Sequence, residues 1–245
     1  MCGGLYAPAM LALLLNVDSR TAHDLMGRLP RHRPDDTQHI GTLKIPDGVG
    51  PLQPGHRAYL ESRRLQPDSV ADIWGVQAIG HAVRLKWRLW LPICDLAGRI
   101  MSWTTRAIHP DAEPRYWAAT AEEEAVPHKS LLYGGHLARH AIVIVEGPID
   151  CLTLGPGAVA TLGVGYTALQ KCLMMAYPVR YVLFDAEDDA QRRAAALCKE
   201  LALMPGHTEN ILLRTGNDPS SADPSEVQAL QRDIFPEYFS ENSRF

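Results

Sequence analysis

The stretch Ile142-Val143-Ile144-Val145-Glu146-Gly147-Pro148 decides the fold, because an unbroken apolar run ends on a carboxylate and a turn. Four consecutive apolar residues are typical of a parallel strand that is buried on both faces. Gly147 permits a sharp turn, and Pro148 suits the first position of a helix. The stretch therefore predicts a strand, a loop that carries Glu146, and a helix.

Similar short apolar runs recur further along the chain, with helix-like stretches between them. The runs lie at residues 158 to 162, 180 to 184 and 210 to 213, and the clearest helical stretch covers residues 190 to 203. Such alternation favours a parallel sheet flanked by helices, with any site at the carboxyl ends of the strands. We therefore predict the order βαβαβαβ and an α/β fold class.

Acidic residues follow three of these predicted strands. Glu146 ends the first strand, and Asp185 ends the third, with Glu187 two residues later. Asp218 lies on a turn after the fourth. Because parallel strands expose their carboxyl ends at one edge, we expect these carboxylates to converge. A secondary set of acids lies close to them in the sequence: Asp150, Asp188 and Asp189.

Convergent carboxylates repel one another unless a cation lies among them. Hard oxygen ligands without His or Cys partners suit Mg²⁺ or Mn²⁺, the ions that assist phosphoryl and nucleotidyl transfer. We therefore predict four catalytic metal ligands: Glu146, Asp185, Glu187 and Asp218. The alternative is that these acids are solvated helix caps. That alternative explains any single acid better, but it explains the set of four less well.

The preceding half of the chain has a different pattern. Residues 57 to 65 look helical, and another short helix follows Pro67. Residues 85 to 93 alternate between apolar and polar, which predicts a strand with one buried face. Residues 99 to 108 return as its partner strand after a turn. This half is predicted to be α+β with antiparallel strands.

The composition limits the kinds of function. The chain has 245 residues, of which 46% are hydrophobic and 21% charged, so it can fill two modest cores. Its net charge of -4 argues against a protein that coats nucleic acid by bulk electrostatics. Any nucleic-acid contact must be local, and residues 57 to 115 supply a local excess of cations: Arg57, Arg63, Arg64, Arg84, Lys86, Arg88, Arg99, Arg106 and Arg115.

The cysteines and the hydropathy indicate a cytoplasmic protein. The five cysteines are odd in number and form no CxxC pair, which favours reduced thiols over a disulfide framework or a zinc site. The apolar run at residues 5 to 17 is too short to span a bilayer and lacks a basic stretch before it. No membrane association is therefore expected.

Three motifs in the second half carry a family resemblance. They are Val145-Glu146-Gly147-Pro148-Ile149-Asp150, Phe184-Asp185-Ala186-Glu187 and Gly216-Asn217-Asp218-Pro219. They resemble, in this order, the strand-EGxxD, strand-DxD and Gly-Lys-Asp-Pro elements of the Toprim fold, which bacterial-type primases, topoisomerases and some nucleases share. The second position of DxD is Glu187 in this chain. Together the three motifs are fairly specific.

The first half resembles the amino-terminal subdomain of the primase catalytic core, so the chain resembles the bacterial- or phage-type primases, the DnaG type. The match runs through Trp90-Leu91-Pro92-Ile93, Asp95 to Ile100, Thr105-Arg106, Arg115-Tyr116 and Lys129-Ser130-Leu131-Leu132-Tyr133-Gly134. The resemblance implies that Arg106, Arg115 and Lys129 contact nucleotide phosphates, template or primer. The alternative is that each is a solvated charge on a strand or loop.

Changes in composition along the chain, together with this resemblance, suggest five regions. Residues 1–30 are a short helical segment similar to the end of a primase zinc-ribbon region, and residues 31–54 form a linker. Residues 55–139 form the α+β subdomain, residues 140–222 the Toprim domain, and residues 223–245 a helix and tail. A closed zinc site needs four ligands, whereas the first region has one cysteine, so no zinc is predicted in this chain.

The resemblance implies a DNA primase that makes short RNA primers on a single-stranded DNA template by nucleotidyl transfer. Its substrates would be nucleoside triphosphates, its cofactor Mg²⁺ or Mn²⁺, and its setting the DNA replication of a bacterium, phage or mobile element. A replicative helicase or a separate zinc-ribbon subunit would be its partner. Two alternatives stay open, a Toprim-type metal-dependent nuclease and a non-catalytic accessory that binds single strands or a helicase.

Overall fold

The computed structural model describes residues 41 to 236 except Val83 and Val164, together with Arg20. The helical segment predicted at residues 1–30 and the tail beyond residue 236 lie outside the described residues. The strands are β1 (Val49–Gly50), β2 (Gln77–Ile79), β3 (Arg88–Cys94), β4 (Ile100–Ala107), β5 (Tyr116–Ala118), β6 (Ala141–Val145), β7 (Ala158–Ala160), β8 (Val179–Val182) and β9 (His207–Asn210). The α-helices are α1 (Pro54–Ser62), α2 (Pro67–Trp74), α3 (Pro148–Leu154), α4 (Ala168–Met175), α5 (Asp188–Leu201) and α6 (Pro224–Ile234).

The first half forms a five-stranded antiparallel sheet in the order β1-β2-β3-β4-β5. Helices α1 and α2 precede β2, and each begins at a proline, which has no N–H to lose at that position. Helix α2 ends at Gly75, whose φ of 65° suits glycine. The predicted α+β architecture with antiparallel strands is confirmed.

Strand β3 is buried on both faces, so the prediction of one buried face is wrong. Leu91 and Ile93 pack into one core, while Trp90 packs on the opposite face with Trp103 of β4. All seven residues of β3 are buried. The positions that alternate with the apolar residues of this segment carry large aromatic and basic side chains. The second core and internal hydrogen bonds accommodate these side chains.

The second half forms a parallel sheet of four strands in the order β7-β6-β8-β9, with helices between the strands. Every residue of β6 is buried, as its apolar run predicts. The last strand is His207–Asn210, not the predicted run at residues 210 to 213. It lies at the sheet edge and is partly exposed, so its sequence is polar and gives no apolar signal.

One apolar core is continuous between the two sheets. Leu91 of β3 shares it with Val143 and Val145 of β6. The other face of β6 packs against helix α5 in a second core. Both sheets lie within one compact unit, so the division at residues 139 and 140 stays a prediction.

The predicted linker does not extend to residue 54. Val49–Gly50 pairs with β2 as the first strand of the antiparallel sheet, and Trp103 Nε1 donates to the Lys44 carbonyl at 2.9 Å. Strand β1 has only two residues, too few for a sequence period.

Within the described residues, no helix is both long and apolar enough to cross a membrane.

Candidate active site

A cleft of about 420 Å³ brings together acidic residues from the parallel half and basic residues from the antiparallel half. We call its carboxylates the acidic rim: Glu146, Asp150, Asp185 and Asp218. We call its arginines the basic wall: Arg63, Arg106 and Arg115. Of the four predicted metal ligands, the structure therefore brings Glu146, Asp185 and Asp218 into one cleft.

The order of the parallel sheet places the acidic rim. Glu146 directly follows β6, and Asp150 lies in the first turn of α3. Asp185 follows β8, the strand beside β6. The N–H of Ala186 donates to the Asn217 carbonyl at 2.9 Å and so ties the Asp185 loop to the turn that carries Asp218.

Asp218 is held by its own turn. Its Oδ1 accepts hydrogen bonds from Ser220 Oγ at 2.8 Å and from the Ser221 N–H at 2.7 Å. Gly216 precedes it at a close approach, where a Cβ would lie 2.6 Å from the backbone of Ala222. The turn therefore fixes the position of this carboxylate without a ligand.

Two rim carboxylates resist ionisation. Burial, and then the charges of Asp218 and Asp185, raise the pKa of Asp150 to about 7. Burial raises the pKa of Asp185 to about 6, with further contributions from Glu146, Asp218 and Glu187. A perturbed pKa of this kind in a cleft is typical of a functional site. The rim is therefore a place where a cation would be favoured.

Arg193 of α5 supplies one cation beside the rim, and the sequence interpretation missed it. Its Nη2 lies 3.5 Å from Glu146 Oε1. Its positive charge offsets part of the rise in the pKa of Asp185. The available signal was its helical position, three residues after buried Ala190 and next to buried Ala194. Arg193 offsets part of the rim's repulsion.

The chemistry of the rim fits a divalent ion, although its spacing is not that of a ready-made metal centre. Carboxylate oxygens are the ligands that Mg²⁺ and Mn²⁺ prefer, and burial together with repulsion from neighbouring carboxylates raises the pKa of Asp185. Among the residues that the structure describes, no three acidic, His or Cys side chains are grouped closely enough to hold a metal ion. An ion would therefore have to draw the carboxylates together.

The other predicted acids lie outside the cleft lining. Glu187 is exposed at the N-cap position of α5 and acts on Asp185 through its charge. Asp188 is also exposed, in the first turn of that helix. Asp189 pairs with Arg192. The structure therefore places these three at the edge of the cluster, where the solvated-cap alternative describes Asp189 best.

Contacts within the protein hold Arg106 of the basic wall by its side chain and Arg115 by its backbone. Arg106 Nε donates to the Tyr59 hydroxyl at 3.1 Å, and the guanidinium lies 4.8 Å from the centre of the Tyr116 ring. The carbonyl of Arg115 accepts a hydrogen bond from buried Arg88 Nη1 at 3.3 Å. Arg106 and Arg115 were predicted to contact substrate, and both line the cleft.

The remaining cations of residues 57 to 115 are mostly used elsewhere. Arg57 pairs with Asp68, and Arg84 with Glu123. Arg99 pairs with Asp95. Of the local basic excess that the sequence indicates, the structure places the three arginines of the basic wall at the cleft.

Lys129 does not line the cleft. Its ammonium donates to the carbonyls of Thr161 at 2.9 Å, Leu162 at 3.3 Å and Gly165 at 2.7 Å. Its neighbour His128 does line the cleft, and its Nδ1 lies 3.0 Å from Oε2 of buried Glu124. No sequence pattern indicated His128, because the fold of the loop between His128 and Glu124 brings the two side chains together.

Comparisons of the sequence and of the structure with known proteins both find primases. The chain is 32% identical over 202 residues to a DNA primase from Synechococcus elongatus, a match that covers 73% of this chain and 28% of that protein. No protein-family model matches it.

Solved structures share the fold. The Aquifex aeolicus primase, zinc binding and RNA polymerase domains, superposes with a TM-score of 0.60 at 19% identity, over 93% of this chain and 70% of that one. A DnaG primase catalytic domain bound to single-stranded DNA gives a TM-score of 0.57 at 24% identity, over 76% and 71%.

Two sheets joined by one core, with the cleft between acidic strand ends and a basic antiparallel sheet, define the fold of a primase catalytic core. The DNA primase relative agrees with that assignment at the level of sequence. In fold the chain is similar to DnaG-type primase catalytic cores, and in sequence it is similar to part of a DNA primase.

Proposed function

We propose that this chain carries the catalytic core of a DNA-directed RNA polymerase of primase type, which makes short RNA primers on single-stranded DNA. The observation that carries the proposal is one cleft with a carboxylate rim on one side and three arginines on the other. This arrangement suits a reaction in which anionic phosphates must be held beside bound cations.

The rim carboxylates have the proposed role of a Toprim-type metal site. Glu146, Asp185 and Asp218 would hold Mg²⁺ or Mn²⁺, with Glu187 contributing charge from the edge. Such ions, when bound, neutralise phosphate charge and activate a hydroxyl for attack. Asp150 is a secondary acid, and its proposed role is to keep negative potential on the rim.

The wall arginines have the proposed role of binding the phosphates of nucleoside triphosphates and of the template. Arg106 can do so at little entropic cost, because Tyr59 and Tyr116 already fix its guanidinium. Arg115 and Arg63 extend the positive surface on the same side. The single-stranded DNA in the complex of a DnaG catalytic domain supports the choice of template.

The chain spans 28% of the length of the curated relative that it matches, so further partners are part of the proposal. We infer that a zinc-ribbon subunit or a replicative helicase supplies template recognition or loading. The proposed location is the cytoplasm, and the proposed setting is replication in a bacterium, phage or mobile element.

The test is a primer-synthesis assay with single-stranded template, labelled ribonucleotides and Mn²⁺. The proposal expects short RNA products from the wild type and none from Asp185→Asn. Degraded template in place of RNA would instead identify a Toprim-type nuclease. Asp188→Asn is a matched control, because Asp188 is exposed and does not line the cleft.

A non-catalytic accessory is a second candidate, and two observations favour it. Arg193 pairs with Glu146, and the described carboxylates are not grouped closely enough to hold an ion as they stand. This candidate expects single-strand binding that Asp185→Asn leaves intact, with neither RNA products nor cleavage from the wild type. The same assay, with fluorescence anisotropy of labelled DNA, therefore separates it from the primase.

A further inference from the structure

We propose that Lys129 is a positioning residue that supports a loop lining the cleft, and that it is not a ligand of the substrate's phosphates. This inference rests on the proposed function. It changes the role that the resemblance implies for Lys129. The segment that Lys129 holds comprises Thr161, Leu162, Gly163 and Gly165, which we call the 161–165 loop.

The ammonium of Lys129 is already occupied within the protein. It donates three hydrogen bonds to carbonyls of the 161–165 loop, at 2.7 to 3.3 Å. An ammonium has three N–H donors, so these carbonyls use all of them. The side chain is partly buried and is absent from the cleft lining. A phosphate could be bound only if these contacts were broken.

The 161–165 loop faces the cleft on its other side. Leu162 and Gly163 both line the cleft, and the Gly163 N–H donates to the Glu146 carbonyl at 3.0 Å. The loop therefore lies between Lys129 and the backbone of a rim residue. Its shape can control where Glu146 is placed.

The loop has a backbone that needs external support. Leu162 adopts a φ of 63°, a left-handed conformation that is unfavourable for a residue with a side chain. Thr161 O accepts from Lys129 Nζ and also from Gln170 Nε2 at 2.9 Å. Thr167 Oγ1 donates to the Lys129 carbonyl at 2.7 Å, which ties the lysine to the start of α4. The surroundings thus over-determine this conformation.

The direction of the carbonyls has a consequence for the cleft. In a trans peptide the C=O and the following N–H point in opposite directions. Because the Thr161 carbonyl points to Lys129, the Leu162 N–H points away from it. In the part of the chain that the structure describes, this N–H has no hydrogen-bond acceptor. Leu162 also lines the cleft, so this peptide leaves one backbone donor beside a cleft that would hold phosphate.

Amide hydrogen exchange in the free protein tests the inference without any substrate. In Lys129→Met, the amides of Thr161 and Gly163, which donate to the carbonyls of Val145 and Glu146, should exchange at least about tenfold faster than in the wild type, because the loop opens locally. Amides of β6, such as Val143, should keep their wild-type rates. Lys199→Met is the matched control, since Lys199 is exposed on α5.

Activity supplies the second readout. Lys129→Met should reduce kcat about ten- to hundredfold and raise the Mn²⁺ concentration needed for half-maximal rate, since displacement of Glu146 alters the metal ligands. Lys129→Arg should behave in the same way, because a planar fork cannot reproduce three converging ammonium contacts. It also serves as the second variant should the methionine variant fail to fold.

Two results would overturn the inference. One is unchanged exchange of the loop amides in both variants. The other is Lys129→Arg with wild-type activity and loop exchange beside an inactive Lys129→Met, as a phosphate-binding cation requires. If the wild type makes no primers at all, the proposed function fails, while the exchange measurement still decides whether Lys129 holds the loop.

Discussion

The acidic rim and the basic wall face the same cleft, but the fold supports them in opposite ways. Burial, and then the charges of neighbouring rim carboxylates, raise the pKa values of Asp150 and Asp185, and Arg193 of α5 offsets part of the shift of Asp185. The wall arginine Arg106 has a hydroxyl partner and an aromatic face. Folding therefore stabilises the wall by itself, whereas it leaves the rim electrostatically strained until a cation binds.

The largest expected effect comes from removing one rim charge. Under the proposed function, Asp185→Asn should lower primer synthesis at least about a thousandfold, because the proposed metal ligand at the reacting phosphate would be lost. In EDTA at pH 8, the same variant should be no less stable than the wild type, since one repelling charge is gone. Primer assays and thermal unfolding measure the two effects.

The combination of lost activity and kept stability is the signature of the rim. Asp188→Asn should leave both quantities near their wild-type values, because that side chain is exposed outside the cleft lining. A marked fall in unfolding temperature for Asp185→Asn without metal would contradict the contrast between the two surfaces.

A substitution in the basic wall should lower both primer synthesis and the free energy of unfolding. Arg106→Met should reduce primer synthesis about ten- to hundredfold, mainly through a higher KM for nucleotides, as expected when a phosphate contact is removed. It should also lower the free energy of unfolding by about 1 to 2 kcal/mol, because the Tyr59 hydrogen bond and the Tyr116 cation–π contact are lost.

Arg99→Met is the control for Arg106→Met, since the side chain of Arg99 is 76% exposed and pairs with Asp95 in its own turn. It should change neither KM nor stability measurably. Equal stability of Arg106→Met and the wild type in urea titrations would mean that the wall is not held by the fold.

The pH dependence of stability gives the next largest effect. The pKa of Asp150 in the folded protein is raised to about 7, whereas an unfolded chain has the ordinary aspartate value. The resulting stabilisation is complete below the unfolded pKa and is lost as the pH rises through about 7. Metal-free protein should therefore lose about 1 to 3 kcal/mol of stability between pH 4.5 and pH 8 from this group.

Asp150→Asn isolates that contribution, because an amide does not titrate. Urea unfolding at pH 5 and pH 8 in EDTA should give a smaller difference for the variant, with the remainder due in part to Asp185, whose pKa is about 6. Identical pH profiles for variant and wild type would show that the Asp150 carboxyl is not strained by its site.

The sequence predicted the convergence of the rim carboxylates, because strand order determines where they lie. Runs such as residues 142 to 145 indicated a buried parallel strand, and parallel strands bring their carboxyl ends together. Glu146, Asp185 and Asp218 therefore could be placed at one edge from sequence alone. Strand β9 was misplaced, because an exposed edge strand has no apolar run.

The sequence could not predict which cations face the cleft and which serve the fold. Arg106 and Lys129 are both cations within the motifs of the family resemblance. Arg106 lines the cleft, whereas Lys129 donates to three carbonyls within the protein. Arg193 and His128 were missed for a related reason. Their partners, Glu146 and Glu124, become neighbours only when helix α5 and a loop are folded.

The smallest expected effect concerns the boundary of the rim. Glu187 is exposed at the N-cap of α5, with no side-chain hydrogen bond to the helix, and it reaches Asp185 through charge alone. Glu187→Asp keeps that charge and provides a shorter side chain that is a better N-cap. Primer synthesis should therefore change by no more than about threefold, and the free energy of unfolding should rise by about 0.5 to 1 kcal/mol.

Glu187→Gln is the matched comparison, because it keeps the length of the side chain and removes the charge. If Glu187 acts only through its charge, the aspartate variant should resemble the wild type, and the glutamine variant should need more Mn²⁺ for half-maximal rate. A loss of activity in Glu187→Asp as deep as in Asp185→Asn would instead make Glu187 a direct metal ligand. The rim would then extend to the start of α5, and binding an ion would require the Glu187 side chain to turn into the cleft.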